Sequence, residues 1–138
     1  MAQSTQHSVC VVDVHQGAAA AVRHIAAASV VITTSLHGLV TADSFGIPAV
    51  WTTLDPPLDG GDFKFQDYES AVTPGRTRFA DFHAGTELAD LLESAWSASP
   101  ARVSELSDGL ERALQMFRDS AGAQERFPRG LIRALRER

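Results

Sequence analysis

The chain has 138 residues, 44% of them apolar and 21% charged, with a formal net charge of −5. That is the size and composition of one ordinary globular domain, long enough to bury a core without staples. The single cysteine, Cys10, excludes an intrachain disulfide. The acidic balance argues against nucleic acid as a partner, and no apolar run nears the roughly 20 residues needed to span a bilayer.

The N-terminus, Met1 to Ser8, is polar and has no basic segment followed by an apolar one, so the expectation is a cytoplasmic protein without a signal peptide. Ser8 to Val14 is a valine-rich run closed by Asp13 and His15. It predicts a buried strand, with Cys10 inside it as a small hydrophobe. Gln16 to Ala28 is alanine-rich, with Ala19, Val22, Ile25 and Ala26 at helical spacing, and predicts a helix. Val30 to Thr33 is β-branched and predicts a second strand. Leu36 to Phe45 predicts a helix whose apolar contacts are Leu36, Leu39, Val40 and Phe45, with Gly46 as its stop. Pro48 to Thr53 predicts a third strand, its proline placed where a missing N–H does least harm.

This alternation is the pattern of a small parallel, Rossmann-like α/β sheet of about three or four strands flanked by helices. Leu54 to Gly61, rich in proline, glycine and aspartate, reads as loop. Asp62 reads as the N-cap of a short helix to about Ser70. Thr73 to Ala84 is irregular, with a small strand near Arg78 to Phe82. Thr86 to Trp96 predicts an amphipathic helix, with Leu88, Leu91, Leu92 and Trp96 on one stripe and Thr86 as its cap. Pro100 to Arg118 predicts another, carrying Val103, Leu106, Leu110, Leu114 and Phe117, and Pro128 to about Arg136 the last. The whole reads as a single domain over residues 1–138, with an α/β core at 8–72 and a mainly helical part at 85–138. The tail arginines 126, 129, 133, 136 and 138 read as a solvated helix end favouring the C-terminal dipole.

Two segments carry chemistry. The first is Thr33-Thr34-Ser35-Leu36-His37-Gly38, where a strand gives way to a helix. Ligands of open α/β sheets collect at the carboxyl ends of strands. The first N–H groups of the helix lack intrahelical partners and hold phosphate or carboxylate readily. Thr34 and Ser35 add hydroxyls, and His37 exchanges a proton near neutral pH. The plainer reading of the same residues is a Ser35 N-cap, a Gly38 needed for close helix–strand packing, and an exposed His37. The second segment is Asp62 to Tyr68. On a helix Lys64, the only lysine in the chain, lies beside Asp67 and Tyr68. It is either a surface ion pair or a point charge for a phosphate, with the phenol as hydrogen-bond partner. His15, just past the first predicted strand, stands at the same sheet end. No histidine pair has zinc spacing, so no metal site is expected, and Gly17 is too isolated for a dinucleotide fingerprint.

Read together, Val31 to Val40, then Ala42, then Phe45-Gly46-Ile47-Pro48-Ala49-Val50-Trp51, then Lys64-Phe65-Gln66-Asp67-Tyr68 resemble the polysaccharide pyruvyl transferase family, exopolysaccharide branch. In that family a strand leads into a Ser-(Arg or Ser)-Leu-His-Gly turn, followed by a Gly-Ile-Pro strand start and a Lys-Phe-x-Asp-Tyr segment. The resemblance covers residues 8–72 and implies the C-terminal half of a glycosyltransferase-like GT-B fold. It implies transfer of pyruvyl from phosphoenolpyruvate to a sugar hydroxyl, forming a ketal. No cofactor is implied beyond phosphoenolpyruvate as donor substrate. His37 matches the family's functional histidine, for donor binding or for protonation of the enol carbon. Thr34, Ser35, Gly38, Lys64, Asp67, Tyr68 and His15 are the implied substrate-binding residues. Many members carry arginine where this chain has Ser35, and Arg23, Arg76 or Arg78 is the candidate replacement in space. The resemblance also implies a second wall of the cleft, contributed by an N-terminal half as a separate subunit or through a homodimer. The alternative is a non-catalytic module or partner subunit that keeps a phosphoenolpyruvate or sugar-phosphate site.

Overall fold

A computed structural model describes residues 8–53 and 61–123, and the chain divides at Pro100 into two units. The predicted loop at 54–60, the helix from Pro128 and the tail arginines lie outside the described residues. In the first unit the elements run α1 (Ala18–Ala26), β1 (Val31–Thr33), α2 (Leu36–Ser44), β2 (Ala49–Trp51), α3 (Phe63–Val72) and α4 (Leu88–Ser94). β1 and β2 pair in parallel, with Val31 opposite Ala49, Ile32 opposite Val50 and Thr33 opposite Trp51. α2 makes the crossover between them, so the architecture is α/β, as predicted, with a two-stranded sheet among the described residues.

Alternation along the strands puts Val31, Ala49 and Trp51 into one core with Leu39, Ala42, Ile47 and Phe65. The Trp51 ring stacks on Phe65 at 4.4 Å and tilts against Phe79 at 4.7 Å. All three residues of β2 are buried. β1 covers one edge of β2, and single bridges from Trp96 and Phe79 cover the other. The predicted strand near Arg78–Phe82 is thus reduced to the one bridge at Phe79.

The predicted strand at Ser8–Val14 does not form. Residues 8–13 are irregular, and a 3-10 turn follows at Val14–Gln16. Val9 and Val11 are 71% and 90% exposed, and Cys10 is exposed rather than buried. A local alternative wins here. The Asp13 carboxylate accepts the His15 N–H at 2.9 Å, and Gly17, at φ 95°, turns the chain into α1. Such side-chain-to-backbone bonds compete with strand pairing.

Smaller differences have similar causes. Phe45, expected as a packing residue of α2, is 52% exposed, because it follows the last turn where the chain leaves through Gly46 at φ 67°. α4 is capped by a reciprocal Glu87–Asp90 box, while the Thr86 hydroxyl instead accepts the His83 N–H at 3.0 Å. The second unit contains α5 (Pro100–Ala123), which opens on proline, at home in a first helical turn. It runs beyond the predicted end at Arg118. An Arg102–Glu105 pair at 2.8 Å and a Gln115–Asp119 bond at 2.8 Å lie along its surface, and Leu110, Leu114 and Phe117 are exposed. No described helix is long and apolar enough to cross a membrane.

Candidate functional site: the turn from strand 1 into helix 2

β1 ends at Thr33, whose hydroxyl accepts the Ser35 N–H at 3.0 Å and donates to the Ser35 carbonyl at 3.1 Å. This pair of hydrogen bonds to one residue sets the turn from which α2 starts. Ser35 occupies the N-cap position, yet its own hydroxyl makes no cap bond. The leading N–H groups of α2 are therefore left to solvent or to an acceptor from outside the helix. His37 lies in that first turn with its side chain exposed. Its carbonyl accepts the Thr41 hydroxyl at 2.7 Å, while its imidazole has no hydrogen-bond partner among the described residues.

Gly38 has a packing reason to be glycine. A Cβ there would overlap the Thr33 hydroxyl and stand 3.2 Å from the Thr33 Cβ. Gly38→Ala should push the Thr33 side chain off the turn and destabilise the fold by about 1–3 kcal/mol, the usual range for overpacking. Urea unfolding would show this as a lower midpoint at unchanged slope.

Lys64 starts the second turn-bearing segment, on α3. Its ammonium lies 5.5 Å from the Phe65 ring centroid, and no ion pair to Asp67 forms among the described residues. Asp67 is exposed and its carbonyl accepts the Ser70 hydroxyl at 2.6 Å. The Tyr68 phenol turns the other way and donates to Asp43 Oδ2 of α2 at 2.9 Å. His15 is exposed in the 3-10 turn, and Thr34 is half-buried. Among the described residues no hydrogen bond, ion pair or ring contact joins His37, Lys64, His15 and Thr34 to one another. What the structure does join is the two helices that carry His37 and Lys64.

That junction is a buried ionic cluster which sequence reasoning missed. Arg78 is fully buried, and its two terminal nitrogens donate to the two oxygens of Asp43, Nη2 to Oδ2 at 3.0 Å. Its Nε and its backbone N–H both donate to Glu69 Oε1 at 3.0 Å. The Thr77 hydroxyl donates to the other Glu69 oxygen at 2.7 Å. Trp96 lies beneath, with the Arg76 and Arg78 guanidinium carbons 4.0 and 5.3 Å from its ring centroid. Burial works against the Arg78 charge, but the hydrogen bonds and charges of Asp43, then Glu69, outweigh it and hold its pKa above the ordinary value. Burial first, then the bond to and charge of Asp43, push the Tyr68 phenol well above its usual range.

One signal for this cluster was present in the sequence. Asp43 and Glu69 each fall in the last turn of a helix, where a carboxylate opposes the dipole unless a cation meets it. Arg78 meets both, so it is not free to take the place of the family arginine at Ser35. Arg23 donates Nε to the Ala19 carbonyl of its own helix at 3.0 Å, and Arg76 lies over Trp96. A cavity of about 190 Å³ beside α3 is bordered by Glu69, Ser70, Arg76 and Thr77, but not by His37, Lys64 or any of the other implied substrate-binding residues. No group of three or more metal-ligating side chains is gathered among the described residues.

The turn that opens α2 falls inside a family match. Residues 4–56 match the polysaccharide pyruvyl transferase family. The pyruvyl transferase match is well under half of the chain. It takes in His15, the Thr34–Gly38 turn, α2 and β2, and it ends before α3, so Lys64, Asp67 and Tyr68 lie outside it. No curated protein and no solved structure matches the chain.

Proposed function

We propose that residues 8–72 form one wall of a pyruvyl transferase site that takes phosphoenolpyruvate as donor and a sugar hydroxyl as acceptor in exopolysaccharide synthesis. The observation that carries this reading is the matched turn itself, with an exposed His37 imidazole, without a hydrogen-bond partner among the described residues, beside the uncapped N–H groups of α2. Those N–H groups would hold the carboxylate or phosphate of the donor. His37 would bind the donor or deliver a proton to its enol methylene carbon, leaving an oxocarbenium-like centre for the sugar hydroxyl to attack. Closure of the ketal by a second hydroxyl would release inorganic phosphate. Lys64 would offset donor charge from the N-terminal end of α3. The opposite wall, and with it the acceptor site, would come from an N-terminal half or a second copy, since such chemistry needs both reactants held and water excluded.

A thermal-shift titration with phosphoenolpyruvate tests this. Ligand that binds only the native chain adds about 2.7 kcal/mol at a hundredfold excess over Kd, so the wild type should melt several degrees higher. His37→Ala should abolish the shift and Lys64→Ala should weaken it. No shift in the wild type at millimolar ligand would remove the reading. A shift without pyruvylation of any sugar acceptor, even with a matching N-terminal half present, would favour the non-catalytic binding module.

A further inference from the structure

We propose that Asp43 and Glu69, joined through the buried Arg78, are positioning residues that fix the His37 turn of α2 against the Lys64 turn of α3. This rests on the reading of those turns as one anion-binding wall. Each carboxylate comes from a different helix, and one guanidinium holds both. The Arg78 carbonyl also accepts the Trp51 N–H of β2 at 3.0 Å, so the same residue references both helices to the sheet. Tyr68 adds a second α3-to-α2 link through Asp43, and Thr77 orients the remaining oxygen of Glu69.

The chemistry of the cluster favours geometry over stability as its use. Two carboxylates share one guanidinium in a site nearly closed to water. Buried ion clusters of this kind are usually matched or bettered in stability by apolar side chains of similar volume. What apolar packing does not reproduce is the fixed fork of a guanidinium, which sets angle as well as distance. The helices transmit that setting. At 1.5 Å per residue, Asp43 stands about 9 Å along α2 from His37, and Glu69 about 7.5 Å along α3 from Lys64. Both functional turns are thus within two helical turns of the clamp. Asp43 and Glu69 are buried, so they would act on a ligand at the helix N-termini without touching it.

The test compares Asp43→Asn and Tyr68→Phe with Leu91→Ala, which removes a buried side chain of α4 and none of the cluster's hydrogen bonds. Tyr68→Phe deletes one hydroxyl and leaves the ion triad, so it supplies the readout if Asp43→Asn does not fold. For each folded variant, phosphoenolpyruvate affinity is measured, together with the amide signals of residues 36–38 and 63–65. Both cluster variants should raise Kd about tenfold, as small misplacements of binding groups do, and should disturb the two amide sets together. Leu91→Ala should do neither, although it also lowers stability. An unchanged Kd in the cluster variants, or an equal rise in Leu91→Ala, overturns the proposal. If the wild type binds no phosphoenolpyruvate, the functional reading fails separately. The amide sets then decide, with concerted disturbance supporting the clamp and undisturbed signals overturning it.

Discussion

Asp43→Ala should destabilise the fold by about 3–5 kcal/mol, the cost of breaking a buried ion pair by removing one member, because the two terminal nitrogens of Arg78 lose their acceptor while Glu69 still holds Nε. Arg78 is fully buried and Asp43 is 4% exposed, so water cannot take over the two bonds that the carboxylate accepts from Arg78. Tyr68 would lose its acceptor in the same step. A domain of this size holds only about 5–15 kcal/mol in total, so the variant should sit near the edge of folding. Urea denaturation followed by tryptophan fluorescence is the natural measurement, because Trp51 and Trp96 both lie close to the cluster. Replacing all three charged groups together, with Asp43→Leu, Glu69→Met and Arg78→Met, should cost less than Asp43→Ala alone, since no buried guanidinium nitrogen is then left without an acceptor. A loss below about 1 kcal/mol for Asp43→Ala, the scale of an exposed pair, would mean that Arg78 reaches water and that the cluster is not closed.

The single tyrosine of the chain should not ionise in the folded state at its ordinary pH. Burial and the Asp43 carboxylate disfavour the phenolate, and Arg78 opposes them more weakly. The folded chain therefore holds this proton, and that of Arg78, more tightly than the unfolded chain does. The resulting stability is complete below about pH 10, the unfolded value of a phenol. It is lost as the pH rises towards the folded-state values. An absorbance titration reports Tyr68 alone, so the phenolate signal should appear only together with unfolding seen by circular dichroism. Ionisation near pH 10 in a chain that remains folded would place the hydroxyl in water and break the link between α2 and α3.

The parts of this fold that were legible in the sequence are those decided locally. The β-branched triplet Val31–Thr33, the stop at Gly46 and the helical spacing of Leu36 and Leu39 each act over a few residues, and β1, α2 and β2 form close to where they were expected. Ser8–Val14 was misread because strand propensity is realised only with a partner, and the Asp13 turn supplies a local alternative. The turn at His37 was legible because strand end, hydroxyls, histidine and glycine are consecutive. The Asp43–Arg78–Glu69 cluster was not, because its members are joined across 35 and 9 residues of chain by packing that no periodicity records. Tyr68 shows the cost of that blindness. Its spacing from Lys64 suggested a ligand contact, whereas its hydroxyl is bonded to Asp43.

The central claim is that the N-terminal turn of α2 binds the donor anion through its backbone and His37. A phosphoenolpyruvate titration of isotopically labelled protein, followed through its amide and imidazole signals, tests it most directly. Saturable shifts centred on Ser35 to Gly38 and on the His37 ring, extending to Lys64 and absent in His37→Ala, are the predicted result. Shifts that fail to saturate, or that centre on Arg76 and the cavity beside α3 with the His37 turn silent, would contradict it.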